Sequence, residues 1–151
     1  MKLRPATSQD ADSISTLIFE VKHFFTLNEN GEGAEEFLKS ISPSSIATYI
    51  AAENFNYFVA TVYEELAGVV AIRDNKHLFH LFVAPKFQQQ KVARQLWLHA
   101  KTYATESGNN GDFTVNSTPN AVPVYERFGF KIAGPRVEMH GIASIPMKLT
   151  V

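Results

Sequence analysis

A short polar segment, residues 88–94, lies between an apolar run that breaks at Pro85 and a stretch with helical periodicity. The first N–H groups of a helix have no intrahelical partner, and the helix dipole places about half a positive charge there. Three glutamines add neutral hydrogen-bond donors, and the small Ala93 leaves room for a bound group. These residue types at this spacing predict a phosphate-binding turn.

The charge around this turn favours the same interpretation. No acidic residue lies between Asp74 and Glu106. The interval contains five basic residues, which are Lys76, Lys86, Lys91, Arg94 and Lys101. A solvated helix with a basic face is the alternative, and charge alone leaves both interpretations open.

The helices that must position this turn follow from apolar residues at helical spacing. They are predicted over residues 8–25, 34–41, 44–50 and 92–106. Pro43 is interpreted as the end of the second helix, and Ser44 and Ser45 as caps of the third. A further short helix is predicted after Asn120, which can cap it, with Gly129 at the C′ position.

Strands are predicted where β-branched and aromatic residues concentrate between turn signals. The segments are residues 57–65, 66–74, 77–84 and 112–116, followed by two strands around His140–Gly141. Glu64–Glu65 is expected to join the first two as a hairpin. Mainly antiparallel strands followed by a β-α-β crossover predict the α/β (α+β) class, with a mixed, largely antiparallel central sheet and helices on both faces.

The composition excludes several classes of site and partner. A net charge of −1 gives no global signal for nucleic acid, and the absence of cysteine excludes disulfides, thiolate metal sites and a cysteine nucleophile. No metal site is expected, because His77 and His80 have no obvious convergent partners. No signal peptide or membrane span is recognised, so we expect a cytoplasmic protein without a membrane partner.

A second segment, NSTPNAVPVYERFGF at residues 116–130, completes a pattern that resembles the GNAT superfamily of acyl-CoA-dependent N-acetyltransferases. In that family a strand ends in V-x-P, and a loop of the form [QR]-x-x-G-x-[GA] then opens a helix. The residues that match this first motif are Val83, Pro85, Gln88 and Ala93. A later motif is N-x-x-x-x-Y-x-x-x-G-F, and its matches are Asn120, Tyr125, Gly129 and Phe130.

Two loop positions depart from the family pattern. Lys91 stands where the family usually has the first loop glycine, and Gln89 occupies another position that is commonly glycine. Glycine adopts a positive φ freely, whereas another residue pays about 1–2 kcal/mol for it. The departure therefore predicts weaker or rearranged pyrophosphate binding, in which the Lys91 ammonium group can contact a phosphate as a charge.

The resemblance implies a single GNAT domain over residues 1–151 that uses acetyl-CoA as its acyl donor, without a metal. It places the pantetheine arm between the strand ending at Val83 and the strand over residues 112–116. The implied acetyl-CoA-binding residues are Leu81, Phe82, Val83, Gln88, Gln89, Gln90, Lys91, Val92, Ala93, Arg94, Asn116, Asn120 and Tyr125.

For catalysis, the resemblance implies that Tyr125 is the general acid that protonates the CoA thiolate. His80, on the central strand, is the candidate base, and Glu138 and His140 are weaker candidates. A buried aromatic residue and a hydrogen-bonded core histidine are the alternative interpretations of Tyr125 and His80.

The implied function is transfer of an acetyl group from acetyl-CoA to a primary amine by direct attack in a ternary complex. The alternatives are an acyl-CoA-binding sensor or regulator on the same fold, and an α/β domain unrelated to CoA. The acceptor is a small-molecule or peptide amine, no nucleic acid partner is expected, and monomer and homodimer both stay open. Residues 1–65 contain ten acids and four bases, so we expect this half to form one wall of the acceptor groove and to attract a small cationic amine. A solvated acidic surface is the alternative interpretation of this charge.

Overall fold

In the computed structural model, residues 1–150 are described, and Val151, the last residue of the predicted domain, lies outside them. The strands are β1 (Lys2–Pro5), β2 (Phe55–Val62), β3 (Glu65–Arg73), β4 (His77–Val83), β5 (Asp112–Ser117), β6 (Lys131–Ile132), β7 (Val137–Met139) and β8 (Ile142–Thr150). They form one sheet in the order β1-β2-β3-β4-β5-β8-β6, and β7 also pairs with β8. All described pairs of strands are antiparallel except β4 and β5, which are parallel.

Five α-helices cover the two faces of this sheet. They are α1 (Ala11–Val21), α2 (Glu35–Ser40), α3 (Pro43–Ala51), α4 (Val92–Glu106) and α5 (Val122–Arg127). On one face α1 and α3 bury an aliphatic core that includes Ile14, Ile18 and Ile46. On the other face α4 buries Leu96 and Trp97. The predicted mixed, largely antiparallel sheet with helices on both faces is therefore confirmed.

Close packing of α4 on the sheet fixes the position of its amino terminus. Gly68 of β3 lies directly beneath the helix, where a Cβ atom would be 2.8 Å from Leu96 Cδ1 and 2.9 Å from the Phe82 carbonyl oxygen. The bounds of α4 agree with the predicted helix, because its apolar periodicity runs unbroken between a polar loop and Gly108.

The amino-terminal region differs from the prediction in two respects. The strand β1 was not predicted, because only Leu3 of its four residues is partly buried and the segment carries no clear alternation. The predicted helix over residues 8–25 is a 3₁₀ turn, then α1, then a second 3₁₀ turn. Arg4 holds the start of this region, since both of its terminal nitrogens lie 2.8 Å from the Asp10 carboxylate oxygens.

Two predicted boundaries are also corrected. Pro43 does not end a helix but begins α3, where proline is favoured because its missing N–H would be unpaired anyway. The cap is Ser42, whose Oγ accepts a hydrogen bond from the Ser45 N–H. The first hairpin turns at Tyr63 and Glu64, one residue earlier than predicted, with φ of 50° and 68°.

The predicted final hairpin turns at His140–Gly141 and docks on the segment after α1. The Leu27 N–H donates to the Gly141 carbonyl oxygen at 2.8 Å, and Thr26 pairs with Ile142. A Cβ atom at Gly141 would lie 2.6 Å from the Gly33 carbonyl carbon, so this contact requires glycine. The short strand β6, which was not predicted, pairs beside β8.

Candidate active site

The sheet opens between β4 and β5. These parallel strands pair only at His77–Thr114 and Leu78–Val115, and beyond those residues they separate. We call the space between the separated ends the strand gap. It follows an irregularity in β4, where Phe79 is an extra residue between the partners of Ala71 and Ile72.

The edge of β4 that faces the strand gap carries backbone groups that do not pair with β3. The Ala84 N–H donates to the Ala67 carbonyl oxygen at 2.8 Å. Because hydrogen bonding alternates along an antiparallel pair, Phe82 also points its backbone groups at β3, while those of Leu81 and Val83 face the gap. An extended ligand can therefore pair with this edge as an added strand.

The loop from β4 to α4 keeps a backbone that usually requires glycine. Gln89 and Lys91 both have positive φ, 62° and 64°, and Lys91 is the residue before the first turn of α4. Each conformation costs about 1–2 kcal/mol for a residue with a side chain. The first N–H groups of α4 thus keep their exposed direction although the loop lacks glycine.

The glutamines of this loop have structural partners. Gln88 Nε2 donates to the Val83 carbonyl oxygen at 3.2 Å, and Gln90 Nε2 donates to the Lys86 carbonyl oxygen at 3.2 Å. The two side chains hold the strand end and the turn together. Their amide groups are therefore less free to donate to a ligand than the sequence suggests.

A groove of about 1170 Å³ extends from this loop along α4 to α5. We call it the basic groove, because its charged lining residues are all cationic: Lys91, Arg94, Lys101 and Arg127. Lys86 instead pairs with Glu65, with 2.8 Å between Nζ and Oε2. Arg127 was not predicted, because it lies outside the acid-free interval and only the position of α5 brings it to the groove.

A second cavity of about 280 Å³ lies at the strand gap and extends toward the end of α1. We call it the aromatic cleft, because four phenylalanines line it: Phe24, Phe25, Phe79 and Phe82. Among residues 1–150, none of those that line the cleft is charged. The prediction that residues 1–65 form one wall of the acceptor groove did not name Phe24 and Phe25, although adjacent phenylalanines after an amphipathic helix were an available signal.

Tyr125 lies where the two spaces meet, since its side chain lines both. The end of α5 holds it in place, because the Phe130 N–H donates to the Tyr125 carbonyl oxygen at 3.0 Å and Gly129 takes a φ of 103°. Within residues 1–150 its hydroxyl has no side-chain partner and is not sealed from solvent, so it opens into the cavity. Burial of the ring raises the pKa of the phenol above its ordinary value, which keeps it protonated at neutral pH.

The two predicted asparagines lie at the strand gap. Asn116 lines the aromatic cleft, and Asn120 lines both spaces. Asn120 does not cap α5, which begins at Val122 after a 3₁₀ turn. Its Oδ1 accepts a hydrogen bond of 2.7 Å from the Thr118 hydroxyl, and that bond aligns the amide.

His80 lies away from the strand gap. Its ring is buried beside Phe79, with 4.2 Å between centroids, and its Nδ1 is 2.9 Å from the Tyr57 hydroxyl oxygen. Burial lowers the pKa of His80 to about 3, so the ring is neutral at physiological pH. This geometry matches the alternative interpretation of a hydrogen-bonded core histidine.

The weaker base candidates are exposed on the last hairpin, and each lies beside another polar side chain. Glu138 Oε2 is 3.8 Å from Arg136 Nη2, and His140 Nδ1 is 3.0 Å from Glu36 Oε2. Neither residue lines the aromatic cleft. Among residues 1–150, no cluster of three or more His, Cys, Asp or Glu side chains could hold a metal ion. No helix in that range is long and apolar enough to cross a membrane.

Known proteins resemble this chain in sequence or in fold. The "Uncharacterized N-acetyltransferase YhfO" of Bacillus subtilis is 28% identical over 109 residues, 72% of this chain and 73% of that protein. The PaiA N-acetyltransferase of Thermoplasma acidophilum, solved in complex with coenzyme A, aligns with a TM-score of 0.81 at 16% identity, over 99% of this chain and 98% of that one. Spermidine N-acetyltransferase SpeG of Vibrio cholerae, solved as a point mutant, aligns with a TM-score of 0.69 at 20% identity, over 99% and 95%.

The family assignment rests on the sequence match as well as on the fold. A family model described as "Acetyltransferase (GNAT) domain" matches residues 25–151. That span includes the loop before α4, the strand gap and Tyr125. The chain belongs to the GNAT family and is an acyltransferase of the N-acetyltransferase type.

Proposed function

We propose that the protein moves the acetyl group of acetyl-CoA to a primary amine by direct attack within a ternary complex. The observation that carries this proposal is the position of Tyr125, whose hydroxyl opens where the basic groove meets the aromatic cleft. A protonated phenol at this junction can donate its proton to a leaving group bound from the basic groove, while the nucleophile approaches from the aromatic cleft.

The residues around the strand gap fit acetyl-CoA, which supplies an activated acetyl thioester when bound. The edge of β4 can pair with the pantetheine amides through the backbone groups of Leu81 and the Val83 N–H, since the Val83 carbonyl oxygen already accepts a hydrogen bond from Gln88. The first N–H groups of α4 can hold the pyrophosphate. The four cations of the basic groove can neutralise phosphate charge without a competing carboxylate in the lining.

Tyr125 is assigned the role of general acid. The amine nitrogen bonds to the carbonyl carbon, the carbon–sulfur bond breaks, and the Tyr125 hydroxyl gives its proton to the sulfur. The new amide nitrogen loses one proton, and the phenol regains one from solvent. Proton transfer from a positioned group typically contributes about 10²–10⁴-fold to the rate.

The acceptor amine must lose a proton before it attacks, and the cleft itself favours this loss. The described lining offers an ammonium ion no carboxylate partner, so partial burial favours the neutral amine and the proton passes to water. His80 is not assigned as the base, because it lies outside the cleft lining and its pKa of about 3 makes it a weak proton acceptor. A cysteinyl acyl-enzyme has no residue to form on in this chain.

The test separates binding from transfer. We expect acetyl-CoA to raise the melting temperature, with about 2.7 kcal/mol of stabilisation at a ligand concentration of 100 Kd. Arg94→Gln should reduce that stabilisation, whereas the control Arg136→Gln, which lies outside the groove lining, should not. An unmoved melting temperature with no calorimetric heat would contradict the choice of donor. Binding without release of free CoA thiol in the presence of any amine would contradict transfer.

A further inference from the structure

The lining of the aromatic cleft restricts the acceptor. The carboxyl end of α1 and the segment after it supply Val21, Phe24 and Phe25, and β4 supplies Phe79 and Phe82. The Phe25 and Phe82 rings lie 5.5 Å apart, so the two elements form one continuous aromatic wall. The polar members of the lining sit at the strand gap and the loop beside it: Gln88, Asn116, Thr118, Asn120 and Tyr125.

This distribution orients a bound amine. The polar end of the cleft is the end at which Tyr125 opens, so the amino group must point there. The remainder of the acceptor then lies among phenylalanines. A second cationic group on the acceptor would be placed in that apolar region without a carboxylate partner, and burying an unpaired charge costs free energy.

The acidic residues of the amino-terminal part do not change this conclusion. Sequence charge alone predicts a cationic acceptor, but none of those acids lines the cleft. Glu36, for example, is exposed and pairs with His140 at 3.0 Å. Their field is screened by solvent, whereas the cleft contacts the acceptor directly.

Resting on the proposed function, we propose that the acceptor is a small primary amine with one apolar body, an arylalkylamine or alkylamine, and with no second charge. The volume of about 280 Å³ lies at the lower end of the range for small-molecule sites, which fits a single ring on a short linker. Phe24 determines this specificity at the mouth of the cleft, where its side chain lines the cavity and stays 46% exposed.

An isosteric pair of acceptors provides the sharpest test. Pentylamine and 1,4-diaminobutane have the same length and differ only in a terminal methyl or amino group. We expect kcat/KM to be at least about tenfold higher for pentylamine, and highest for 2-phenylethylamine, because apolar contacts of this size change specificity by about 10–200-fold. Spermidine and kanamycin A, which carry several cations, should be poorer than pentylamine.

Two substitutions at Phe24 test the residue itself. Phe24→Ala should raise the KM for 2-phenylethylamine about tenfold and leave acetyl-CoA affinity unchanged. Phe24→Glu should shift the preference toward 1,4-diaminobutane, because it supplies a carboxylate at the mouth. Tyr63→Ala is the matched control, since Tyr63 is a fully exposed aromatic residue on the turn after β2 and should leave the specificity unchanged.

The outcomes separate this inference from the proposed function. If spermidine, kanamycin A or 1,4-diaminobutane equals or exceeds pentylamine in the parent, the acceptor class is wrong and transfer stands. If acetyl-CoA binds and none of the five amines releases CoA thiol, the acceptor class is again overturned while donor binding stands. If acetyl-CoA does not bind, the proposed function fails first. If Phe24→Glu leaves the preference for pentylamine over 1,4-diaminobutane unchanged, Phe24 does not determine the acceptor specificity.

Discussion

The two spaces that meet at Tyr125 differ in volume and in the charge of their lining residues. The basic groove is about 1170 Å³, runs along α4, and carries four cations and two residues with positive φ at its head. The aromatic cleft is about 280 Å³, reaches toward α1, and has no charged side chain in its lining. Both spaces include the strand gap, and each extends from it over a different face of the sheet. The two linings differ for that reason.

Under the proposed function, this difference would let one opening in a sheet bind two ligands that need opposite environments. Phosphates bind through charge and free N–H groups, which a helix start supplies. An amine nucleophile must be neutral, which an apolar wall favours. If the cations of α4 faced the same side as the phenylalanines, neither environment would form. The protonated phenol of Tyr125 separates them.

The substitution Tyr125→Phe tests the junction and should have the largest effect. We expect kcat to fall about 10²–10⁴-fold, because only the transition state uses the hydroxyl proton, and acetyl-CoA affinity to change less than about twofold. Steady-state kinetics with calorimetry measures both. Tyr49→Phe is the control, because Tyr49 lies on α3 and lines neither space. An unaltered rate, with chemistry shown to be rate-limiting, would contradict the general-acid role and favour the interpretation of Tyr125 as a buried aromatic residue.

The folding stability of the protein should also fall in acid, because of His80. In the unfolded chain its pKa is near 6.5, whereas burial lowers the folded value to about 3. Unfolding therefore takes up a proton between these pH values, so stability falls as pH drops through this window. The contribution is up to about 1.4 kcal/mol per pH unit.

Chemical denaturation between pH 7 and pH 4 measures this slope. We expect His80→Gln to show a shallower dependence of the unfolding free energy on pH, whatever its absolute stability. Equal slopes for His80→Gln and the parent would show that the ring of His80 accepts protons in the folded state, so that its buried position tolerates a charge.

The smallest expected effect concerns Lys91 in the basic groove. Lys91→Gly should relieve backbone strain but lose a charge contact, so the parent should bind acetyl-CoA a few-fold more tightly at low salt. The advantage should fade at high salt, because the Debye length drops from about 10 Å at 0.1 M to about 3 Å at 1 M. Lys91→Asn keeps a side chain that tolerates positive φ and removes the charge, so it separates the two effects. Equal salt slopes for all three proteins would show that the lysine side chain points away from the phosphates.

Local signals in the sequence account for the parts of the site that could be predicted. The bounds of α4, the end of β4 before Pro85 and the left-handed Gly129 each depend on residues close in the chain. The two GNAT motifs then place Tyr125 and the loop before α4 in one site. Periodicity and turn chemistry act over a few residues, which is why these predictions agree with the structure.

Contacts between distant segments could not be predicted in this way. The strand β1 is ordered by pairing with β2, more than 50 residues later, and its own four residues carry little pattern. His80 contacts Tyr57 on another strand, and the burial of its ring between distant segments, which lowers its pKa, makes a candidate base a neutral core residue.

The sequence by itself determined the family motifs, the acid-free interval and the helices that carry them. Only the tertiary structure decided that Gln89 and Lys91 keep the glycine-like backbone, since packing of α4 over Gly68 holds the loop in place against its local cost. The tertiary structure also brought the end of α1 to β4 and so formed an aromatic cleft from residues over 50 positions apart. Charge counted along the chain predicts a cationic acceptor. The lining of the aromatic cleft depends instead on which side chains the tertiary structure brings together.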